Sequence, residues 1–317
     1  MNTLNPAPRA NMGKGEPPKQ NVGAASTRDQ SDAVRARSGV WFRFRRHRLA
    51  LLGSMIITLL AVIVIITPDL FALDPYTTDL KAYRKPPSAE HWLGTDSSGR
   101  DVLARLIFAG RVSLSVGIVA VSIYVAIGVL LGAVSGHYGK SIDNVIMRLA
   151  DIVMAFPRLI IIITVAALVG PSIYNVMLII GLLSWPSIAR LVRGLFLTLR
   201  ERDFVVAARS IGVSDARLMF RHLLPNALAP LIVAATYGTA GAILTEASLS
   251  FLGLGVQPPT ASWGNMLHGA QSISILESMP WLWLPPGLMI TITVLSLNFI
   301  GDGLRDALDP YQVSNSK

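Results

Sequence analysis

Six apolar stretches punctuate the chain, at about residues 49–67, 112–135, 152–169, 173–188, 227–249 and 281–301. Several approach or exceed the roughly 20 residues that a helix needs to cross the hydrocarbon core. A chain segment in lipid has to satisfy its own backbone polar groups, so such runs predict helices. The expected fold is an all-α polytopic membrane protein with six transmembrane helices. Residues 39–317 form this transmembrane domain, with external segments at 68–109 and 251–280 and a cytoplasmic loop at 190–225. Residues 1–38 are rich in Pro, Gly, Ser, Asn, Gln and charge. Without apolar periodicity, they are expected to form a disordered cytoplasmic tail rather than a signal peptide.

The basic residues set the expected orientation. The stretch VWFRFRRHR at 40–48 precedes the first span, and seven arginines lie between Arg190 and Arg221. Cytoplasmic segments carry an excess of Lys and Arg, so both places are expected inside, with both termini cytoplasmic. Trp41 and Phe42 suit the headgroup level. The segment 251–280 carries no Lys or Arg and agrees. Lys81, Arg84, Lys85, Arg100 and Arg105 in the first external segment run against the rule.

Within the spans a few residues stand out. Gly117, Gly128, Gly132 and Gly136 lie on or beside the second, where small residues let helices approach closely. Pro157 sits near the inner end of the third, where it either kinks the helix or ends it. Glu246 lies near the outer end of the fifth. An acid there either contacts an amino group or cation on a transport path, or sits at the water interface or pairs with a neighbouring helix. Asn298 in the sixth is expected to hydrogen-bond another helix.

The polar island 201–226, ERDFVVAARSIGVSDARLMFRHLLPN, reads as two short helices. Phe204 to Ile211 forms the first. Gly212 suits the left-handed position after its end. Ser214 caps the second, with Asp215 near its positive N-terminus. Ala216, Phe220, Leu223 and Leu224 supply its apolar face, Arg217, Arg221 and His222 its polar surface, and Pro225 its boundary. The island carries too many charges to cross a bilayer and is too ordered in its signals for a slack linker. Outside, Thr95, Asp96 and Asp101 are expected to cap and anchor a helix that begins near Ser97.

Composition narrows the chemistry. The chain is 52% hydrophobic and 15% charged. Its formal charge of +9 follows from the cytoplasmic positive bias rather than from nucleic-acid binding. There is no cysteine, hence no thiol nucleophile and no Cys-ligated metal. The five histidines show no metal spacing. There is no P-loop, so the chain does not itself bind ATP in the Walker manner.

Four motifs carry a resemblance. They are Gly94-Thr95-Asp96 with Gly99-Arg100-Asp101, Ala207-Ala208 with Gly212 and Leu224-Pro225, EASLSFLGLG from Glu246, and GDGLRDALDP from Gly301. In this order they resemble the second-type permease of bacterial ABC importers of the dipeptide, oligopeptide, glutathione and nickel branch. The resemblance covers about residues 40–311. It implies a type I importer permease fold in the bacterial inner membrane. It also implies that the loop holding Ala207, Ala208, Gly212, Ser214, Asp215, Arg217, Arg221, His222 and Pro225 couples to an ATPase. Val206 stands where the family has Glu. The implied partners are a second homologous permease, two cytoplasmic ABC ATPase subunits that bind ATP and Mg, an external solute-binding protein, and membrane lipid. No cofactor, metal or catalytic residue is expected on this chain. Since EASLSFLGLG recurs in relatives with different cargo, the resemblance favours a structural Glu246.

The resulting expectation is a half-channel for di- and oligopeptides, with nickel or glutathione as the alternative cargo. Two other classes have less support in the sequence. An intramembrane enzyme requires a convergent nucleophile or metal set, and no recognised catalytic spacing is present. An ATP-independent channel or secondary transporter is favoured by inverted repeats, and none is clear.

Overall fold

The structure is a computed structural model that describes residues 39–308. The expected N-terminal tail and Asp309 lie outside the described residues. A helix at 39–46 (α1) leads into α2 (Arg48–Leu70). The long α3 (Val102–Tyr138) is followed by α4 (Lys140–Met154), α5 (Arg158–Val169) and α6 (Ile173–Leu199). Two short helices, α7 (Asp203–Ser210) and α8 (Asp215–Arg217), precede α9 (Leu224–Phe251). Then come α10 (Trp263–His268), α11 (Ile273–Ser278) and α12 (Pro280–Leu308). Five stretches are long and apolar enough to cross a membrane, and six if the bent pair α4–α5 counts as one. One end of the bundle gathers α1, α4, α7, α8 and the end of α12, and is rich in arginine. The other gathers the segments 71–101 and 252–279.

The helices outrun the apolar runs that predict them. At 37 residues, α3 rises about 55 Å, well beyond the roughly 30 Å hydrocarbon core. The sixth span, expected to end at residue 301, continues helically through Leu308. The first continues through Pro68. A proline there cannot donate to the carbonyl of Val64. Arg111 of α3 fills the gap, with Nε donating to Val64 O at 2.5 Å and Nη2 to Ile65 O at 2.6 Å.

Three expectations need correction. The segment 137–151, expected as a short inner loop, is mostly the amphipathic helix α4, and the third span is bent by 82° between α4 and α5. Charges at Asp143, Arg148 and Asp151 hide the helical spacing of Ile142, Val145, Ile146 and Leu149 from a hydropathy window. Pro157 supplies the break, because it has no N–H with which to continue the ladder. The first external helix begins at Val102 rather than near Ser97, with Asp101 as its cap. Pro225 does not end the second helix of the polar island. It stands where the π-turn passes into α9, and the helix runs on from Asp215 to Phe251.

The core is held by small residues on α3 facing α6. A Cβ at Gly128 would lie 2.6 Å from Ile188 Cβ, one at Gly132 2.5 Å from Ala189 O, and one at Gly136 2.7 Å from Phe196 Cβ. The Gly128–Gly132 pair is therefore a helix contact. In lipid, close van der Waals approach of this kind replaces the hydrophobic driving force. On the opposite flank, Gly53 of α2 packs on the Ser296 carbonyl of α12.

Candidate functional site

At the arginine-rich end the polar island folds back onto the bundle. α7 buries Val205 and Ala208, while Val206 and Ala207 face out. It closes in a Schellman turn. Gly212 N donates to Arg209 O at 3.0 Å, Val213 N donates to Ala208 O at 3.2 Å, and Gly212 takes φ +78°. Glycine adopts that backbone without the Cβ penalty. Val213 then packs against the core that contains Ala208.

The next helix starts after Ser214, whose backbone is extended but whose side chain makes no capping bond. Six residues, Leu218–Leu223, form a π-helical turn before α9. That wider turn shifts the side-chain register. Leu218, Met219 and Leu223 are buried, whereas Ala216 and Phe220, expected on the apolar face, are exposed. A 3.6-residue period could not have foreseen this, and π-turns favour functional sites.

One side-chain contact ties the element to the bundle, and a second pair braces the helices beside it. His137 at the end of α3 reaches Asp215 at 3.0 Å. Arg193 of α6 grips Asp143 of α4 through Nε at 2.5 Å and Nη2 at 2.6 Å, and Ser135 Oγ joins the same carboxylate. Arg200 Nη1 donates to Gly136 O at 3.4 Å. Sequence reading missed His137, Asp143 and Arg193, because their partners lie far away along the chain.

What the element leaves unused is as informative. Among the described residues, Arg217 and Arg221 have no ion pair or hydrogen-bonded side chain, and His222 engages only through its carbonyl, to Asn226. Ile211 and Phe220 are exposed beside them. The result is a rigid surface of cations and apolar side chains with no partner inside the chain.

The other end uses its charges inward. Asp96 Oδ1 accepts from Ser98 N at 2.7 Å and Arg100 N at 3.0 Å, and its Oδ2 receives Arg100 Nε at 2.8 Å with Arg105 Nε at 3.4 Å. Thr95 is fully buried, bonded to Lys85 N and the Ala82 carbonyl. Asp101 caps α3 through Ala104 N and holds His91 at 2.9 Å. A Cβ on Gly99 would fall 1.8 Å from Asp79 O, so only glycine fits. This motif is a knot that starts α3.

Glu246 is completely buried and accepts from Ser113 Oγ at 3.0 Å and Ser250 Oγ at 2.7 Å. Ser113 also accepts from Trp263 N at 3.3 Å, and Trp263 Nε1 donates to Leu106 O at 3.1 Å. The acid thus ties α3, α9 and α10 together and does not sit at a water interface. Asn298 is half-buried and makes no side-chain hydrogen bond among the described residues, contrary to expectation.

Comparison with known proteins agrees with this architecture. Residues 128–312 match the family described as binding-protein-dependent transport system inner membrane component, and residues 37–87 match the N-terminal TM domain of oligopeptide transport permease C. The chain is 43% identical to a dipeptide transport system permease protein of Alkalihalophilus pseudofirmus, covering 90% of this chain and 93% of that one. It is 38% identical to an oligopeptide transport system permease protein of Bacillus subtilis, over 90% and 95%. A glutathione transport system permease protein of Pectobacterium atrosepticum is 40% identical, over 85% and 89%. With its all-helical bundle and multiple spans, the chain belongs to the family of binding-protein-dependent transport system inner membrane components, non-catalytic multi-pass subunits of ABC importers with the type I permease fold.

Proposed function

We propose that this chain forms half of the translocation path of an ATP-driven importer of di- and oligopeptides. The observation that carries the reading is the unpartnered surface of Arg217, Arg221, Ile211 and Phe220 on an element held to the bundle through His137–Asp215 and the buried Val205, Ala208, Leu218 and Leu223. Such a surface suits docking to a cytoplasmic ATPase, since free cations and exposed apolar groups are what an interface covers. A rigid mount suits mechanical coupling. Closure of an ATPase pair displaces α7 and α8, and the continuous helix from Asp215 to Phe251 carries that displacement into the bundle.

In this reading the arginine-rich end faces the cytoplasm of a bacterium, with both termini on that side of the inner membrane. The opposite end receives a solute-binding protein. A second homologous permease completes the path. Two ATPase subunits hold ATP and Mg, and this chain binds no cofactor itself. The peptide cargo rests on the dipeptide and oligopeptide relatives. Glutathione is the second reading, favoured by its permease relative.

The test is ATP hydrolysis by the complete complex in lipid, with the binding protein loaded in turn with dipeptide, longer peptide, glutathione or nickel. Stimulation by dipeptide or longer peptide is expected. Stimulation by glutathione or nickel alone would replace the cargo, and failure to assemble with any ATPase would overturn the importer reading.

A further inference from the structure

The break between α4 and α5 places an exposed cation at the edge of a hollow between helices. Arg158 is the first residue of α5. It lines a cavity of about 220 Å³ together with Tyr124 of α3, Ser184 of α6, and Gly238 and Gly241 of α9. Four helices therefore meet at one hollow. Ser184 lies about 17 Å along α6 from Ile173, and Gly241 lies about 15 Å from the end of α9 at Phe251. Both distances come to roughly half the hydrocarbon thickness.

The polar groups of this hollow are underused. Arg158 makes one bond, Nη2 to Thr245 Oγ1 at 3.4 Å, longer than an ordinary N–H···O contact. Thr245 already donates to Gly241 O at 2.7 Å. A guanidinium carries five donors in a planar fork, and the rest are open. No described carboxylate pairs with it. Glu246, next to Thr245, is turned to Ser113 and Ser250, and Asp302 takes the hydroxyl of Tyr237. Ser184 Oγ is buried, with 5% of the residue exposed, and has no hydrogen-bond partner. The Tyr124 hydroxyl, pressed against Gly238, makes no hydrogen bond among the described residues.

Arg158 stands exposed at the hollow without a carboxylate, and the buried Ser184 hydroxyl beside it is orphaned, which is costly unless something visits it. The missing ligand is an anion with planar acceptors. We propose that this cavity is a binding station on the translocation path, in which Arg158 holds the terminal carboxylate of the passing peptide and the hydroxyls of Ser184 and Tyr124 hydrogen-bond to it. The inference deepens the peptide reading and rests on it. Every unblocked peptide carries an ionised α-carboxylate at neutral pH, and a fork-shaped cation recognises that group bidentately whatever the side chains are. A metal cation such as nickel would be repelled from the same place.

The test uses the absence of cysteine from the chain. A Cβ on Gly241 meets nothing within 4 Å, so Gly241→Cys adds one thiol in open space on the cavity wall. In the complete complex in lipid, its modification by a negatively charged and a positively charged methanethiosulfonate is followed by the mass of this chain. The anionic reagent is expected to react at least tenfold faster. Arg158→Gln removes that preference and Arg158→Lys keeps it. A free-acid dipeptide slows labelling, and its C-terminal amide does not. Equal rates for the two reagents, a preference unchanged by Arg158→Gln, or equal protection by acid and amide would each overturn the site. Hydrolysis of ATP in the same preparation reads the cargo separately. If no peptide stimulates it, the peptide reading falls, whatever the labelling shows.

Discussion

The two ends of the bundle hold charge in opposite ways. At the end formed by residues 71–101 and 252–279, the acids of the two motifs are spent inside. Asp96, Asp101 and Glu246 each hold two or more internal donors. At the arginine-rich end, the His137–Asp215 contact ties the polar island to the bundle while Arg217 and Arg221 stay unpaired on its outer face. The same residue types thus do different work. A saturated acid fixes helix geometry, and an unsaturated cation on a rigid mount marks a surface that another subunit covers. The lesson is that a motif's role follows from whether its polar groups are already satisfied.

The comparison can be broken most forcefully at Glu246. Glu246→Ala leaves Ser113 and Ser250 without their acceptor and opens a cavity between α3, α9 and α10, a loss of about 3 kcal/mol. A lowered unfolding temperature and yield in detergent are the expected result, and an unchanged one would show that the cluster is not structural. Charge reversal of Arg217 and Arg221 to Glu should do the converse. Peptide-stimulated ATP hydrolysis falls at least tenfold, while the unfolding temperature stays put, since exposed substitutions shift stability by only about 0.5 kcal/mol. A third change sits between the two. Gly212→Ala meets no neighbour, so its cost is the left-handed backbone alone, about 1 kcal/mol. It should lower the transport rate modestly by loosening the turn, as uptake in proteoliposomes would show. The smallest effect is expected from Val206→Glu, on the exposed face of α7. It should alter ATPase stimulation less than twofold, and a larger rise would mean that Val206 weakens the docking contact.

Much of the membrane architecture was legible beforehand because lipid imposes a coarse rule on composition. Five of the six apolar runs coincide with long helices, and the island at 201–226 was recognisable as two helices around Gly212. The third run was misjudged, since α4 is amphipathic and carries its charges on one face. The apolar face of α8 was misjudged for a different reason. The π-turn at Leu218–Leu223 widens the helix period, and only the docking of Leu218 and Met219 against the bundle reveals it.

The chain's own residues determined the order of the long membrane helices and the glycine that the turn at Gly212 requires. Apolar length, proline and left-handed turns act over a few residues, and those are visible in a linear string. Tertiary structure alone decided which charges are spent. Glu246 meets Ser113, Arg193 meets Asp143, His137 meets Asp215, and Arg158 meets an open cavity, because helix packing brings together positions far apart in sequence. Hydrogen bonds act over about 3 Å of space whatever the separation along the chain, so a polar residue's role stays open until its neighbours are in place.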